Sequence, residues 1–474
     1  MNRLEFYKTH YAATYEPTLL MSREGIRCDT ERLAQRYQEL LTTLDTLREK
    51  LRKQAGEDIF GKKGSLSPAK AKRFFFETLG CTPIWKNVKT KQGKEKRTTI
   101  DENAVRTVRR RNPKRPEVIE ACNDVLAFRF ADARKKFCKP EVVDKDGRIR
   151  GSYYFNTLTL RFGSKKNPME SGHNMQNPPR GERAHFVPDK GHVFLERDLS
   201  QAESRIVYML TGDKDLIAAA RSHPEEYDDH RAVAEAVLGI LYREGLVPSP
   251  EFDELSEKDQ KLVRFFGKAT NHGSNYGETG IMLSITLLEL GYVVSPDICN
   301  EMLKAKFDLR PAILDVFQRG IRRLIVTDKV LQNPFGHRLD FTPVKKDQRA
   351  FRQGYMFIPQ STVPQIMNQW GMVPLYHEIR EQGWRAKIRN HIHDALLISC
   401  HPEDAYDVAT WLGKSLVREV EYADLTVHRK KRSMAIPSTL AVGVNWQDKM
   451  EYKSDPTRKI FERDMEKLLA DRRL

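Results

Sequence analysis

Two aspartates and one row of cationic and aromatic side chains carry most of the chemistry this chain can offer. Asp198 follows the apolar run Val193-Phe-Leu195 and precedes a helical pattern with Ile206, Val207 and Leu210 on one side. It therefore stands where a strand ends and a turn begins. Asp394 falls, with His393, at a tight turn between two apolar strands within residues 386–400. An acid at a strand end is held rigidly yet stays open to solvent or a metal; alone, it is commonly no more than a helix cap. Strands of one sheet can bring two such tips together. Two converging carboxylates repel each other unless a proton or a cation lies between them, and oxygen-only ligands suit Mg2+. A pair of such ions roughly 3.5–4 Å apart can bind the attacking and leaving oxygens of a phosphoryl transfer. The expectation is chemistry on phosphates, with two Mg2+ ions (or Mn2+) as cofactors. Glu203 lies near the start of the helix that follows Asp198.

The second cluster is Arg264, Lys268, His272 and Tyr276, spaced by four. In a helix each step of four turns about 400°, so the four side chains run down one face over about 18 Å. Such a row can set two cations on a polyphosphate and two rings against a sugar and a base. A solvated helix edge would show the same spacing, but Gly273 and Gly277 follow the two rings, which is unusual for plain surface.

The elements that must position these groups are legible in outline. The chain has 474 residues, of which 39% are hydrophobic and 31% charged, enough for a sizeable core in two to four domain-sized pieces or one multi-lobed body. Residues 1–55 read as helix, with Leu33, Leu40 and Leu44 at helical spacing and Asp29 or Thr30 as N-cap. The stretch from Gly56 to Lys63 nearly matches a phosphate loop, but Lys63 replaces the hydroxyl and no strand precedes it, so it reads as a basic turn. Ser65-Leu-Ser-Pro68 opens a helix. Residues 86–115 hold twelve Lys/Arg against three acids and read as a loop able to grip phosphate. Residues 118–137 read as helix, 148–155 as a strand that 157–161 continues, and 163–176 as loop. Residues 213–330 and 348–378 are mostly helical, with a turn at 333–336 between short strands and a last strand at 440–444.

The formal net charge is +16, which favours a polyanionic partner. No apolar run approaches the roughly 20 residues of a membrane helix, and the start of the chain is not a signal peptide. Nucleic acid is therefore favoured over a membrane. Six scattered cysteines without a Cys-x-x-Cys pair point to neither zinc nor a disulfide framework, as in a reduced compartment.

Together these motifs resemble those of the family A DNA polymerases, of the bacterial DNA polymerase I type. Asp198-Leu-Ser-Gln-Ala-Glu-Ser-Arg205 resembles D-Y-S-Q-x-E-x-R, Arg264 to Gly277 resembles R-x3-K-x3-[FY]-G-x2-Y-G, and His393-Asp394 resembles the H-D of a third motif. Weaker matches follow in the right order. Thr157-Leu-Thr-Leu-Arg161 is similar to T-x-T-G-R, Asn174-Met-Gln-Asn177 to N-L-Q-N, and Asp229-His230-Arg-Ala-Val-Ala234 to D-x-H-x-x-x-A. Arg352 through Gln360 is similar to R-x7-Q, and Gly443-Val-Asn-Trp446 to G-x-N-W.

The resemblance implies an α+β fold of right-hand polymerase architecture, with an antiparallel-sheet palm and helical fingers and thumb. The implied boundaries are 1–147 for an N-terminal segment and thumb, 148–212 and 346–474 for the palm, and 213–345 for the fingers. It implies template-directed addition of dNTPs to a primer 3′-hydroxyl with release of pyrophosphate, by a monomer acting on primer-template DNA. Asp198, Asp394 and the Leu199 carbonyl would bind the metal ions. Arg264, Lys268 and His230 would hold the triphosphate, and Lys268 would also protonate the leaving pyrophosphate. Glu203 would sit under the sugar and exclude a 2′-hydroxyl, His272 occupies the position associated with sugar discrimination, and Tyr276 would guard the template base. Arg161, Asn174, Gln176, Asn177, Arg352, Gln360 and His393 would contact primer or template.

The resemblance further implies a cytoplasmic location in a bacterial or phage-infected cell. The polymerase-like region begins almost at Met1 and includes the entry segment Pro17 to Asp29, so no proofreading nuclease is expected. The chain departs from the family pattern at Leu199 (usually Tyr), His272 (Phe or Tyr), Ala395 (an acid), His391 (Gln) and Leu160 (Gly). Two alternatives are a single-subunit-type RNA polymerase, which a carboxylate at Glu203 disfavours, and a non-catalytic primer-template-binding protein. Comparing dNTP with NTP incorporation, with and without Asp394, separates all three.

Overall fold

A computed structural model describes residues 3–90, 93–223 and 225–470. The chain divides into two compact units, one of residues 1–30, 141–279 and 300–474, the other of residues 31–140 and 280–299.

The first unit is built on a five-stranded antiparallel sheet. Its main elements are β1 (Val193–Leu199), α1 (Ala202–Thr211), α2 (Asp229–Arg243), α3 (Glu257–Asn275), α4 (Gln348–Ile366), β2 (Ala386–Ile392), β3 (Ala395–Cys400), β4 (Ser438–Gly443) and β5 (Lys449–Tyr452). The strand order is β2-β3-β1-β4-β5, with β1 at the centre. Register fixes the faces. Ala395 and Thr439 flank Asp198, while Leu396 and Leu440 flank Arg197. Because side chains alternate along a strand, Leu195, Leu199, Leu396, Ile398, Leu440 and Val442 point into one core. Glu196 and Asp198 point to the other face, Asp198 between Ala395 and Thr439 and Glu196 between Leu397 and Ala441. Arg197 falls on the core side and is almost fully buried; it donates to the Ala409 carbonyl at 2.9 Å and pairs with Asp455 at 2.6 Å.

The second unit joins a 26-residue helix, Thr30–Ala55, to the helix Pro116–Cys138. Leu40, Leu44 and Leu51 are buried on the first helix, and Val118, Val125 and Phe128 on the second. Lys50 pairs with Glu120 at 2.9 Å and Asp124 at 3.0 Å.

Three sequence expectations are corrected. The first 55 residues are not one helix: Gly25, at φ +62°, ends Ala13–Glu24, and Ile26–Cys28 becomes a strand paired to Arg148–Ile149. A β-carbon at Gly25 would lie 2.7 Å from the Ile149 carbonyl oxygen, so only glycine permits that pairing. Residues 86–115 are not a loop; a hairpin of Ile84–Thr90 and Gly93–Thr99 precedes the helix Glu102–Arg111, with Lys91 and Gln92 outside the described residues. Residues 157–161 do not continue the strand Ser152–Tyr154. They turn, with the Leu160 amide donating to the Thr157 carbonyl at 3.1 Å and the Thr157 hydroxyl to the Arg161 carbonyl at 2.7 Å.

Candidate active site

The two aspartates meet. β1 carries Asp198 one residue before its end, and the His393-Asp394 turn joins β2 to β3, the neighbour of β1. His393 takes the left-handed φ of +51° that a two-residue hairpin turn asks for. The Leu199 amide donates to the Asp394 carbonyl at 2.9 Å and the Ser200 amide to the Pro437 carbonyl at 2.8 Å, tying the end of β1 to both adjacent strands. Asp198, Asp394, Glu196 and Lys449 line one cleft of about 490 Å3. Within it Asp198 Oδ1 is buried and accepts no hydrogen bond. Burial raises the Asp198 pKa well above the ordinary carboxylate range, and the charges of Asp394 and Glu196 raise it further, against Lys449 and Lys268. Asp394 is more open to water; the protein around it is the largest cause of its rise to about 6, and Glu203 adds to it. A buried, unpartnered carboxylate oxygen beside a second carboxylate is the donor set a hard divalent cation requires, so these residues fit the ions the sequence implies.

The cationic row lies on α3, and its charge reaches Asp198 through Lys268. Ser256 caps the helix, accepting from the Asp259 amide at 3.2 Å. Val263, Phe266, Thr270 and Asn271 are buried on one side, while Arg264, Lys268 and His272 are exposed on the other. Tyr276 follows the last helical residue and is buried. Gly267 sets the depth of α3 against α2: a β-carbon there would stand 2.6 Å from the His230 carbonyl oxygen and the Ala234 nitrogen. His230 opens α2, and burial lowers its pKa to about 4, leaving a neutral ring. The motif acid two residues before His230 is Asp228, not Asp229. Asp228 caps α2, accepting from the His230 amide at 3.0 Å, and takes the Arg264 guanidinium at 2.6 Å.

Asp229 instead is buried, in a role that no local pattern marks. It accepts from the Tyr208 hydroxyl at 2.5 Å and from Asn271, and pairs with Arg310 at 2.9 Å. Lys306, fully buried beside it, has its pKa lowered by burial to about 7. This network joins α1, α2 and α3. Glu196 and Lys449 were missed as well; two acids at i and i+2 on β1 are the signal that could have found the first.

Glu203 is held from three sides. It accepts from the Arg161 guanidinium and the Tyr276 hydroxyl, and from Gln360 Nε2 at 3.4 Å. His272 stands edge-on to Tyr276, ring centroids 5.3 Å apart. Arg352, on α4, lies beside Gly277, its Cγ 3.5 Å from where a β-carbon would be. The segment from Asn174 to Asn177 is stitched to β2: Gln176 Nε2 donates to the His391 carbonyl at 2.5 Å, and Asn390 Nδ2 to the Met175 carbonyl at 2.7 Å. Asn174 Oδ1 accepts from the Gln176 amide at 3.0 Å, and Asn177 is exposed. Gln176 is almost wholly buried, so its amide braces β2. His391 packs its ring against Phe162 at 4.5 Å and does not reach the cleft surface. Leu160 keeps the φ of +60° that explains a glycine in the pattern it replaces.

A carboxylate pair on an antiparallel sheet, near a helix that carries Arg264 and Lys268, is a site suited to chemistry on phosphates. The fold agrees. The polymerase domain of Pol1 from M. smegmatis, solved in complex with DNA primer-template and dNTP, superposes with a TM-score of 0.73 at 20% identity, covering 94% of this chain and 71% of that one. DNA polymerase I of Chloroflexus aurantiacus is 28% identical over 69% of this chain and 32% of its own length. The thermostable DNA polymerase I of Thermus thermophilus is 25% identical over 84% of this chain and 44% of its own. The matched regions thus span about a third to under half of these relatives. Residues 30–448 match the sequence model of DNA polymerase family A, and the chain belongs to that family. Its fold is the α+β architecture of the polymerase domain. No helix among the described residues is long and apolar enough to cross a membrane, and all six cysteines are buried free thiols.

Proposed function

We propose that this chain is a DNA-directed DNA polymerase that adds dNTPs to a primer 3′-hydroxyl on a DNA template and releases pyrophosphate. The observation that carries the reading is the shared cleft of Asp198 and Asp394, with the charge of Lys268 felt at Asp198. Asp198, Asp394 and the Leu199 carbonyl would hold Mg2+ or Mn2+, and two bound ions would supply charge for the attacking and leaving oxygens. The protein does the rest by placement. Arg264 and Lys268 take the triphosphate as cations and the neutral His230 as a hydrogen-bond partner. Lys268 then gives its proton to the leaving pyrophosphate oxygen. Glu203, braced by Arg161 and Tyr276, stands under the sugar, where a 2′-hydroxyl would meet a carboxylate that cannot move aside. His272 and Tyr276 present rings to the sugar and the template base. Arg161, Asn174, Asn177, Arg352, Gln360 and His393 contact primer or template, and Gln176 acts through β2.

In this reading residues 148–212 and 346–474 form the palm, 213–345 the fingers and 1–147 the N-terminal segment and thumb, in a chain that works as a monomer. Primer extension on a defined template tests it: the parent extends with dNTPs in Mg2+ and discriminates against NTPs, while D198A and D394A lose at least about 1000-fold. Extension that survives either substitution would sink the reading. Because the family match fills most of these 474 residues, they are also expected to leave a mismatched 3′ end undegraded.

A further inference from the structure

Beside the aspartate pair the same cleft, which Arg180, Arg183 and Glu451 also line, holds at Glu196 a carboxylate that the chemistry above leaves without a task. Glu196 precedes Asp198 by two residues on β1, so the two side chains leave the same face of the sheet about 7 Å apart. Leu397 closes the β3 side of Glu196, but Ala395 and Thr439 flank Asp198 and Ala441 flanks Glu196 on the β4 side, so small side chains leave the β4 side between the acids open. The Glu196 side chain is only 17% exposed. Lys449 approaches its Oε1 at 2.6 Å, and the Trp446 indole donates to its Oε2 at 3.0 Å. A carboxylate accepts about four hydrogen bonds, so each oxygen keeps capacity on the cleft side. Its charge raises the pKa of both Asp198 and Asp394.

Stability alone is a poor reason for this arrangement. A partly buried Glu–Lys pair contributes little over apolar residues of the same volume, because desolvating both charges offsets their attraction. It also crowds a third negative charge onto a site that already repels its own two. That crowding is useful only when a cation is present.

Building on the aspartate-pair reading, we propose that Glu196 is a third anionic group for divalent cations in this cleft, and that Lys449 is the internal counter-ion that competes with them. Lys449 neutralises Glu196 in the metal-free protein. A divalent cation at Asp198 and Asp394 gains the Glu196 field to the extent that Lys449 yields it. The two residues therefore have opposite effects. Removing Glu196 weakens the cation; removing Lys449 tightens it. A residue pair present only for packing would move both variants in the same direction, or neither.

The test is Mn2+ binding to the full chain without DNA or nucleotide, followed by the electron paramagnetic resonance signal of free Mn2+. D198N serves as reference, and melting in EDTA confirms folding. A unit charge about 7 Å from a divalent ion in a watery dielectric is worth roughly fivefold in affinity. E196Q is therefore expected to weaken Mn2+ about fivefold, and K449M to tighten it by a similar factor. If D198N weakens Mn2+ while E196Q stays within twofold of the parent, the inference is wrong and the aspartate pair stands. If D198N binds as the parent does, the pair itself is misread and this inference falls with it. Should E196Q melt below the assay temperature, K449M decides alone: tighter binding supports the inference, unchanged or weaker binding overturns it.

Discussion

Arg264 is not idle before a nucleotide arrives. Its guanidinium rests on Asp228, which also caps α2. A triphosphate must take Arg264 from that carboxylate or share it. The pair is half-exposed, and such pairs are worth up to about 1 kcal/mol. D228N keeps an N-capping side chain but surrenders the charge. Its dNTP KM in single-nucleotide extension is expected to drop two- to fivefold, with kcat little changed; a higher KM would mean that Asp228 positions Arg264 instead of holding it back. Leu160 is a second local compromise. A non-glycine residue in the left-handed region costs about 1–2 kcal/mol, yet Leu160 is fully buried, and deleting such a side chain costs about 2–5 kcal/mol. Burial wins, so L160G should lower the unfolding free energy by about 1–3 kcal/mol in denaturant titrations despite its easier backbone.

At the scale of elements, the sequence told most where local signals were strong. The strand before Asp198, the turn at His393-Asp394, and Pro68 at the start of its helix fold as their residues suggest, because apolar runs, turn geometry and helix-start chemistry are local. Periodicity failed where tertiary contacts decide. Ile26–Cys28 is a strand because Arg148–Ile149 and Phe186–Val187 lie on either side of it, and the basic stretch Ile84–Thr90 pairs with Gly93–Thr99 although its charge suggested open loop. The Asp229 network was illegible for the same reason: Tyr208, Asn271 and Arg310 come from three segments far apart in the chain. The glycine within the α3 motif had a reason the spacing hid. Gly267 lets α3 lie directly on the α2 backbone. In G267A a methyl group must displace main chain, which repacking of side chains cannot relieve. The variant should lose about 2–4 kcal/mol of stability and should raise the dNTP KM at least tenfold, since His230 and Lys268 sit on the two helices being pushed apart. Ordinary stability with a normal KM would show that the contact can open freely.

The whole molecule feels the site through its protons. His10 and His391 are buried and His230 half-buried, and burial lowers their pKa values to about 4, 3 and 4 in that order, leaving all three neutral at pH 7. Each is protonated in the unfolded chain below about 6.5 but not in the native one, so each adds stability as pH rises from about 4 to 6.5. The aspartate pair works the other way. Asp198 and Asp394 have pKa values raised in the native state, above an unfolded value near 3.9. Their contribution is whole below about pH 4 and is lost as pH rises through 6 and beyond. Three groups therefore oppose two, and the metal-free parent should gain stability between about pH 4.5 and 6.5, though less steeply than the histidines alone would give. Replacing one aspartate isolates its share. In EDTA, D198N should be more stable than the parent by about 1–3 kcal/mol at pH 8, since it carries no buried charge there. The difference should close below about pH 4, where Asp198 of the parent is protonated in the folded and the unfolded chain alike. Adding Mn2+ at pH 8 should reverse the order, because only the parent offers the carboxylate that the cation stabilises. Urea midpoints across pH with and without Mn2+ measure all three differences. An advantage for D198N that stays constant from pH 5 to 8 would mean that the strain at Asp198 is packing and not charge, and a cleft without a charge problem would have no physical need for a cation.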